Sequence, residues 1–174
     1  MKVKKTNIIG LFVIEIDDFK DFRGSFMKIY SKKEFHKNGL LNSYKDLNFS
    51  NSISKGTFRG LHYQKDPDNE TKLIKCVSGK ICDYAIDFRK ESSTYRNIHK
   101  INLSGNDNKV ILIPHGIAHG YQALEDNSSL IYLSSGYYNS DSEVVISPVS
   151  PELNLNLDFK PILSDKDKKS TFDL

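Results

Sequence analysis

The sequence predicts an all-β chain, an antiparallel jelly roll or β-sandwich with a few short helices, and three observations carry that prediction. Seven runs, at 57–64, 72–77, 80–88, 98–103, 109–113, 118–124 and 129–134, are rich in Ile, Val, Leu, Tyr and Phe. Turn-like clusters separate them: Asp66-Pro-Asp-Asn, Ser78-Gly, Ser104-Gly-Asn-Asp-Asn, Pro114-His-Gly and Glu125-Asp-Asn. Many short strands at this spacing build antiparallel sandwiches and barrels. Helix signals are sparse by comparison. Ser31-Lys-Lys-Glu34 is a capping box and Gly39 stands where a C-terminal cap belongs, so a short helix is expected over 32–38.

The remaining stretches follow in order. Asn7 to Ile14 is an apolar run closed by Glu15, Asp17 and Asp18, too short to span a membrane and without a small-residue cleavage site; it reads as the first strand. Asp21-Phe-Arg-Gly-Ser-Phe26 carries a turn signal at Gly24 and leads into 27–30. The final Ser164-Asp-Lys-Asp-Lys-Lys-Ser reads as a solvated charge run. The 174 residues fit one domain, 1–174, with enough chain to bury a core. A net charge of +3 with scattered lysines argues against nucleic acid. Cys76 and Cys82 are two thiols without a disulfide framework, which suits a soluble protein of the reducing cytoplasm.

Chemistry concentrates in Lys55-Gly-Thr-Phe-Arg-Gly-Leu-His-Tyr-Gln64, which puts a cation, an imidazole and an amide on one strand. It reads either as the wall of a polar pocket or as a strand edge with solvated groups. Strict alternation places Arg59 and His62 on opposite faces, so both reach one pocket only if the strand is irregular near Gly60. In 72–77, Lys72 shares a face with Ile74 and Cys76, and a lysine there either snorkels to the rim or enters a polar cavity. In 80–88, Asp83 and Asp87 share a face, and one of them could partner Lys72 across the strands. His62, Lys72 and Tyr132, with His119 nearby in type, suit proton abstraction next to a carbonyl: a base, an oxyanion stabiliser and an acid. Each has a plainer reading, Tyr132 as core or rim and His119 as a hydrogen-bonded structural histidine. Metal is the rival chemistry. Pro114-His-Gly-Ile-Ala-His119 matches the second half of the cupin metal pattern, but His62-Tyr-Gln64 lacks the second histidine of the first half and Glu70 stands too far along, which makes a poor transition-metal site.

With these residues assembled, the chain resembles the dTDP-4-dehydrorhamnose 3,5-epimerase family, metal-free cupins that epimerise nucleotide-linked 4-keto-6-deoxy sugars. The resemblance runs from Asp21 to Asp167. It is carried by Asp21-x-Arg-Gly-x-Phe26, Arg59-Gly-Leu-His-Tyr-Gln64, Lys72-Leu-Ile-Lys-Cys-Val77, Asp87-x-Arg-x-x-Ser-x-Thr-Tyr95, Ile113-Pro-His-Gly-Ile-Ala-His-Gly120, Tyr137-Tyr138 and Ile162-Leu-Ser-Asp165, all in the expected order. It implies a cupin-type jelly roll, no cofactor and no metal, and a homodimer in which an N-terminal segment crosses to the partner. It also implies His62 as general base, Tyr132 as general acid, Lys72 at the enolate oxygen, and Arg59 and His119 holding substrate. Arg23, Asn48, Ser50 and Glu143 fall at positions that contact the nucleotide diphosphate.

Some positions depart from the family pattern. An aspartate before a proline pairs with the base histidine in the family, and counting from Tyr137-Tyr138 puts Ser150-Pro151 there, with Leu157 where a tryptophan follows. Lys28 stands for a glutamate near the nucleotide base and Asp46 for a glutamine, which leaves the identity of the base open. The reading that results is epimerisation at C3, C5 or both of a nucleotide-diphosphate 4-keto-6-deoxy sugar or heptose, in the making of a surface polysaccharide or another glycosylated product. Two alternatives stand beside it: a cupin that moves the ketone between C3 and C4, and a catalytically weak sugar-nucleotide binding protein, suggested by Ser150.

Overall fold

The computed structural model describes residues 1–40 and 43–171. Its elements in chain order are β1 (Lys2–Lys5), β2 (Phe12–Glu15), β3 (Asp18–Asp21), β4 (Gly24–Met27), α1 (Lys32–Lys37), β5 (Asp46–Ser52), β6 (Phe58–Gln64), β7 (Lys72–Ser78), β8 (Lys80–Asp87), β9 (Ile98–Ser104), β10 (Lys109–Ile113), β11 (Ile117–Ala123), β12 (Ser128–Ser134) and β13 (Glu143–Val145). All seven expected strands are present within about one residue of their predicted ends. The helix also forms where its capping box puts it, with the Ser31 side chain accepting from the Glu34 amide.

Two sheets make the molecule, with strand orders β1-β2-β10-β7-β12-β5 and β13-β6-β11-β8-β9; β3 and β4 form a separate hairpin. All the pairings within them are antiparallel. Alternation along the central strands sends one apolar row inward. Ile74, Ile111 and Leu130 from the first sheet pack against Ile81, Ala85, Leu103 and Ile117 from the second. The outer faces are covered too. Helix α1 lays Phe35 over Ile14, Leu73 and Leu112. The C-terminal segment sets Leu153, Leu155 and Leu157, every second residue, against Phe58, Tyr84 and Ile86. This antiparallel sandwich is the expected fold class, a cupin-type jelly roll.

The first strand differs from expectation. Instead of one strand over 7–14, residues 6–11 turn between β1 and β2, because the Thr6 hydroxyl accepts from the Ile8 amide and Gly10 takes φ +83°. Ile8 and Leu11 are buried in the core, which explains why this stretch is apolar without being extended. Strands β5 and β13 were not expected. In β5 the polar Asn48, Ser50 and Ser52 alternate with exposed Leu47 and Phe49, the reverse of a strand whose apolar side faces inward.

The irregularity expected at Gly60 is present and positions the site. The register between β11 and β6 slips between His119 and Tyr121, opposite Gly60, and both Arg59 and His62 reach the same cleft. Gly60 has φ +113°, and a Cβ there would sit 2.6 Å from both the Gly120 Cα and the His119 carbonyl oxygen. Gly60→Ala therefore meets backbone in a conformation L-residues avoid. The expected cost is at least about 2 kcal/mol, read as a lowered urea midpoint.

Candidate active site

Side chains from the two sheets converge on an open cleft of about 570 Å³. The five-stranded sheet supplies Arg59 and His62 from β6 and His119 and Tyr121 from β11; His62 and His119 are direct register partners. The six-stranded sheet supplies Asn48 and Ser50 from β5, Lys72 from the start of β7 and Tyr132 from β12. Tyr132 stands opposite Ile74 on β7 and opposite Asn48 on β5, while Lys72 stands opposite Ser134. Lys72, Ile74 and the inward residues of β12 thus share one face, as the period of two dictates. A second lobe of about 460 Å³, lined by Asp46, Glu70, Ser134, Tyr138 and Glu143, adjoins the first. His62, Lys72, Tyr132, Asn48 and Lys166 line both lobes and so stand at their junction.

The carboxylate that holds His62 is Asp167, which stands in for the aspartate that counting from Tyr137-Tyr138 replaces with Ser150. Nε2 of His62 lies 2.7 Å from Asp167 Oδ1. An ionised carboxylate only accepts, so Nε2 carries a proton, and in the neutral form of the ring the lone pair is on Nδ1. Ser150 instead donates to Glu152 Oε2 at 2.7 Å, away from the cleft. The charge run is not a solvated tail at this point either: Asp167 is 5 % exposed. The chain is drawn back by backbone bonds linking Ile162 to Gly56 and Phe58, and the Ser164 hydroxyl receives the Asp167 amide at 3.1 Å. Burial alone would push the Asp167 carboxyl up; the His62 hydrogen bond and charge outweigh it and hold the carboxyl below the usual aspartate range. The Glu143 carboxylate sits 3.7 Å from Nδ1, beyond hydrogen-bonding reach.

The expectation that Asp83 or Asp87 partners Lys72 is also corrected, for a topological reason: β8 lies in the other sheet from β7. Asp83 receives the His119 ring at 2.8 Å, and Asp87 is taken by Arg89, Ser92 and Thr94. Lys72 pairs with Glu70 at 3.0 Å. The Tyr132 phenol is pushed up, by burial first and then by Glu70, Tyr121, Asp46 and Glu143, so it stays protonated and able to donate. Arg59 is aimed by Nη2 on the Asn51 carbonyl at 2.8 Å and Nε on Ser52 at 3.3 Å. The Ser50 and Tyr121 hydroxyls meet at 2.8 Å.

Of the residues singled out in the sequence, His62, Lys72, Tyr132, Arg59, His119, Asn48, Ser50 and Glu143 line the joined lobes. Arg23 and Lys28 do not. Arg23 sits in the turn of the β3–β4 hairpin paired with Asp21 at 2.6 Å, and Lys28 is exposed just after it. Asp167, Lys166, Glu70 and Tyr121 were missed. The Leu153-Leu155-Leu157 alternation is the signal that the C-terminal segment packs rather than trails. Lys166 bonds Glu143 at 2.6 Å and stands 5.7 Å over the Tyr138 ring. Among the described residues no three His, Cys, Asp or Glu side chains are grouped to hold a metal ion.

A histidine–aspartate pair, a lysine and a protonated phenol around one cleft of a jelly roll are the groups an isomerase needs to move a proton next to a carbonyl. The dTDP-4-dehydrorhamnose 3,5-epimerase family model matches residues 5–172. A protein of that name from Shigella flexneri is 36% identical over 169 residues, covering 96% of this chain and 93% of its own. Solved structures agree. The dTDP-4-dehydrorhamnose 3,5-epimerase of Bacillus anthracis, with TDP and PPi bound, superposes with a TM-score of 0.94 at 36% identity, covering 97% of both chains. A Legionella pneumophila dTDP-6-deoxy-D-glucose-3,5-epimerase in complex with dTDP-4-keto-L-rhamnose gives 0.91 at 31% identity, covering 97% of this chain and 90% of that one. The chain belongs to the dTDP-4-dehydrorhamnose 3,5-epimerase family.

Proposed function

We propose that this epimerase inverts C3, C5 or both in a nucleotide-diphosphate 4-keto-6-deoxy sugar, with His62 as the base, Lys72 as the oxyanion stabiliser and Tyr132 as the acid. The C4 ketone acidifies the protons on its neighbouring carbons, so the chemistry needs no cofactor. Nδ1 of His62 takes the proton, and Asp167 steadies the imidazolium that results. The electron pair left on carbon moves onto the ketone oxygen, where the Lys72 ammonium receives the charge. Tyr132, from the opposite sheet, returns a proton to the other face of the carbon. Arg59, His119, Asn48, Ser50 and Glu143 hold the rest of the substrate. The observation that carries this reading is the 2.7 Å His62–Asp167 pair facing Lys72 and Tyr132 in one cleft. It also removes the ground for a catalytically weak binding protein, which was the missing carboxylate. Incubation with dTDP-4-keto-6-deoxyglucose in deuterium oxide tests the reading by NMR. Deuterium entering at C3 or C5 supports it; no exchange there with this or other nucleotide 4-keto sugars overturns it.

The same reading makes the working protein a homodimer of single-domain subunits. Among the described residues no strand pairs with the outer edge of β5, and that edge exposes Leu47 (66 %) and, at the rim of the cleft, Phe49 (67 %), with Ile53 (73 %) just past the strand end. Among the described residues the β3–β4 hairpin pairs with no other strand, and it exposes Phe19, Phe22 and Phe26. Two such apolar surfaces on one chain fit a second copy of it, each hairpin laid along the partner's β5. That exchange would carry Arg23 and Lys28 toward the partner's Asn48 and Ser50 and complete the nucleotide end of the cleft. Phe49→Glu is expected to yield monomer by sedimentation; an undisturbed dimer would contradict this arrangement. No helix among the described residues is long and apolar enough to cross a membrane. A cytoplasmic place accords with two free, buried cysteines.

A further inference from the structure

We infer that Glu70 is a positioning residue for this reaction, a carboxylate tethered at one oxygen to Ser134 that fixes the Lys72 ammonium in the cleft with the other. The inference rests on the role proposed for Lys72. Glu70 precedes Lys72 by two residues, just ahead of β7, and the two side chains meet at their charged ends. Oε1 lies 3.0 Å from Lys72 Nζ, and Oε2 accepts from the Ser134 hydroxyl. Ser134 is the register partner of Lys72 on β12, so the tether reaches across to the strand that also bears Tyr132.

The surroundings hold Glu70 in place. Between it and Lys72, the Thr71 amide donates to Ser135 Oγ at 2.8 Å and the Thr71 carbonyl accepts from the Ser135 amide at 3.0 Å. A Cβ on Gly136 would stand 3.2 Å from Glu70 Cβ and 3.1 Å from the Asn69 carbonyl, so this loop packs directly on the segment. The Lys72 and Glu70 side chains are only 16 % and 12 % exposed, unlike the solvated ion pairs that contribute little. A lysine has four side-chain torsions and presents its charge as a point on a flexible stem. An oxyanion stabiliser must be aimed before the charge develops. Glu70 lines the adjoining lobe beside Lys72, not the lobe that Arg59 serves, and its two oxygens are taken by Lys72 and Ser134.

Glu70→Gln keeps the shape and the Ser134 bond and removes the charge, and three readouts follow. Turnover is expected to fall about tenfold or more with KM changed less than about threefold, the pattern of a lost transition-state interaction. In a Lys72→Ala background the same substitution is expected to cost several-fold less than in the wild type, because the part of its effect that passes through the amine is gone and only its field on Tyr132 remains. Acylation of Lys72 by an amine-directed reagent, followed by peptide mass spectrometry, is expected to accelerate in Glu70→Gln and, to a smaller degree, in Ser134→Ala. Turnover within about twofold of wild type, equal losses in both backgrounds, or an unchanged acylation rate would each overturn the inference. The acylation rate reads the Lys72 environment whether or not a 4-keto sugar is turned over. Failure of the functional reading would show as a wild type inert toward such sugars, and is thereby separate.

Discussion

Asp167→Asn is expected to lower turnover and deuterium exchange by about 10²–10⁴, while leaving the chain folded. The carboxylate does two things that an amide of the same shape does not. It accepts the Nε2 proton and so leaves the Nδ1 lone pair facing the substrate, whereas an asparagine can turn its NH₂ to Nε2 and drive the proton onto Nδ1. It also offsets the positive charge that the ring gains on abstracting a proton. Ser150→Ala, by contrast, is expected to change nothing, since that hydroxyl only meets Glu152. Stability follows the carboxylate with a definite sign. The folded carboxyl is held below its ordinary value, so its contribution is present above the unfolded aspartate range and disappears as pH falls through the folded value. Thermal melts of wild type and Asp167→Asn should therefore differ near neutrality and converge in acid. Exchange within tenfold of wild type would contradict the role.

His62→Ala is expected to lose about 10²–10⁴ in turnover or more, with solvent exchange lost at each carbon His62 serves. Affinity for a nucleoside diphosphate should hardly move, because Arg59 and its supports on Asn51 and Ser52 are untouched. Calorimetric titration beside NMR exchange separates the two. Loss of binding equal to loss of exchange would make His62 a holding group rather than a base. The cavity left by the ring also strands Asp167, a buried carboxylate with one fewer donor, so a modest fall in melting temperature accompanies the change.

The β-rich core was legible because its strands obey the period of two over runs such as 109–113 and 129–134, and the turns between them are spelled in Gly, Asn, Asp and Pro. Strand β5 was not legible, because its inward side chains are Asn48, Ser50 and Ser52. A strand that builds a polar cleft inverts the pattern that marks a strand packing on a core. The site divides the same way. His62, Arg59 and Lys72 declared themselves by residue type on regular strands, and the break at Gly60 could be anticipated from alternation alone. Asp167 could not, since a carboxylate among lysines looks solvated until Ile162 is seen bound beside Thr57. Counting without gaps carried the missing partner to Ser150. The pairing of Lys72 was misread for a related reason: alternation tells which face a residue takes, not which sheet the next strand joins.

The dyad itself can be observed without turnover, by nitrogen-15 NMR of the His62 ring in the resting protein. The structure predicts that the neutral form of the ring carries its proton on Nε2, with that proton far downfield, slow to exchange with water, and lost from that position in Asp167→Asn. A proton on Nδ1, or an Nε2 signal indifferent to Asp167→Asn, would contradict the assignment of Asp167 as the group that sets His62 for proton abstraction.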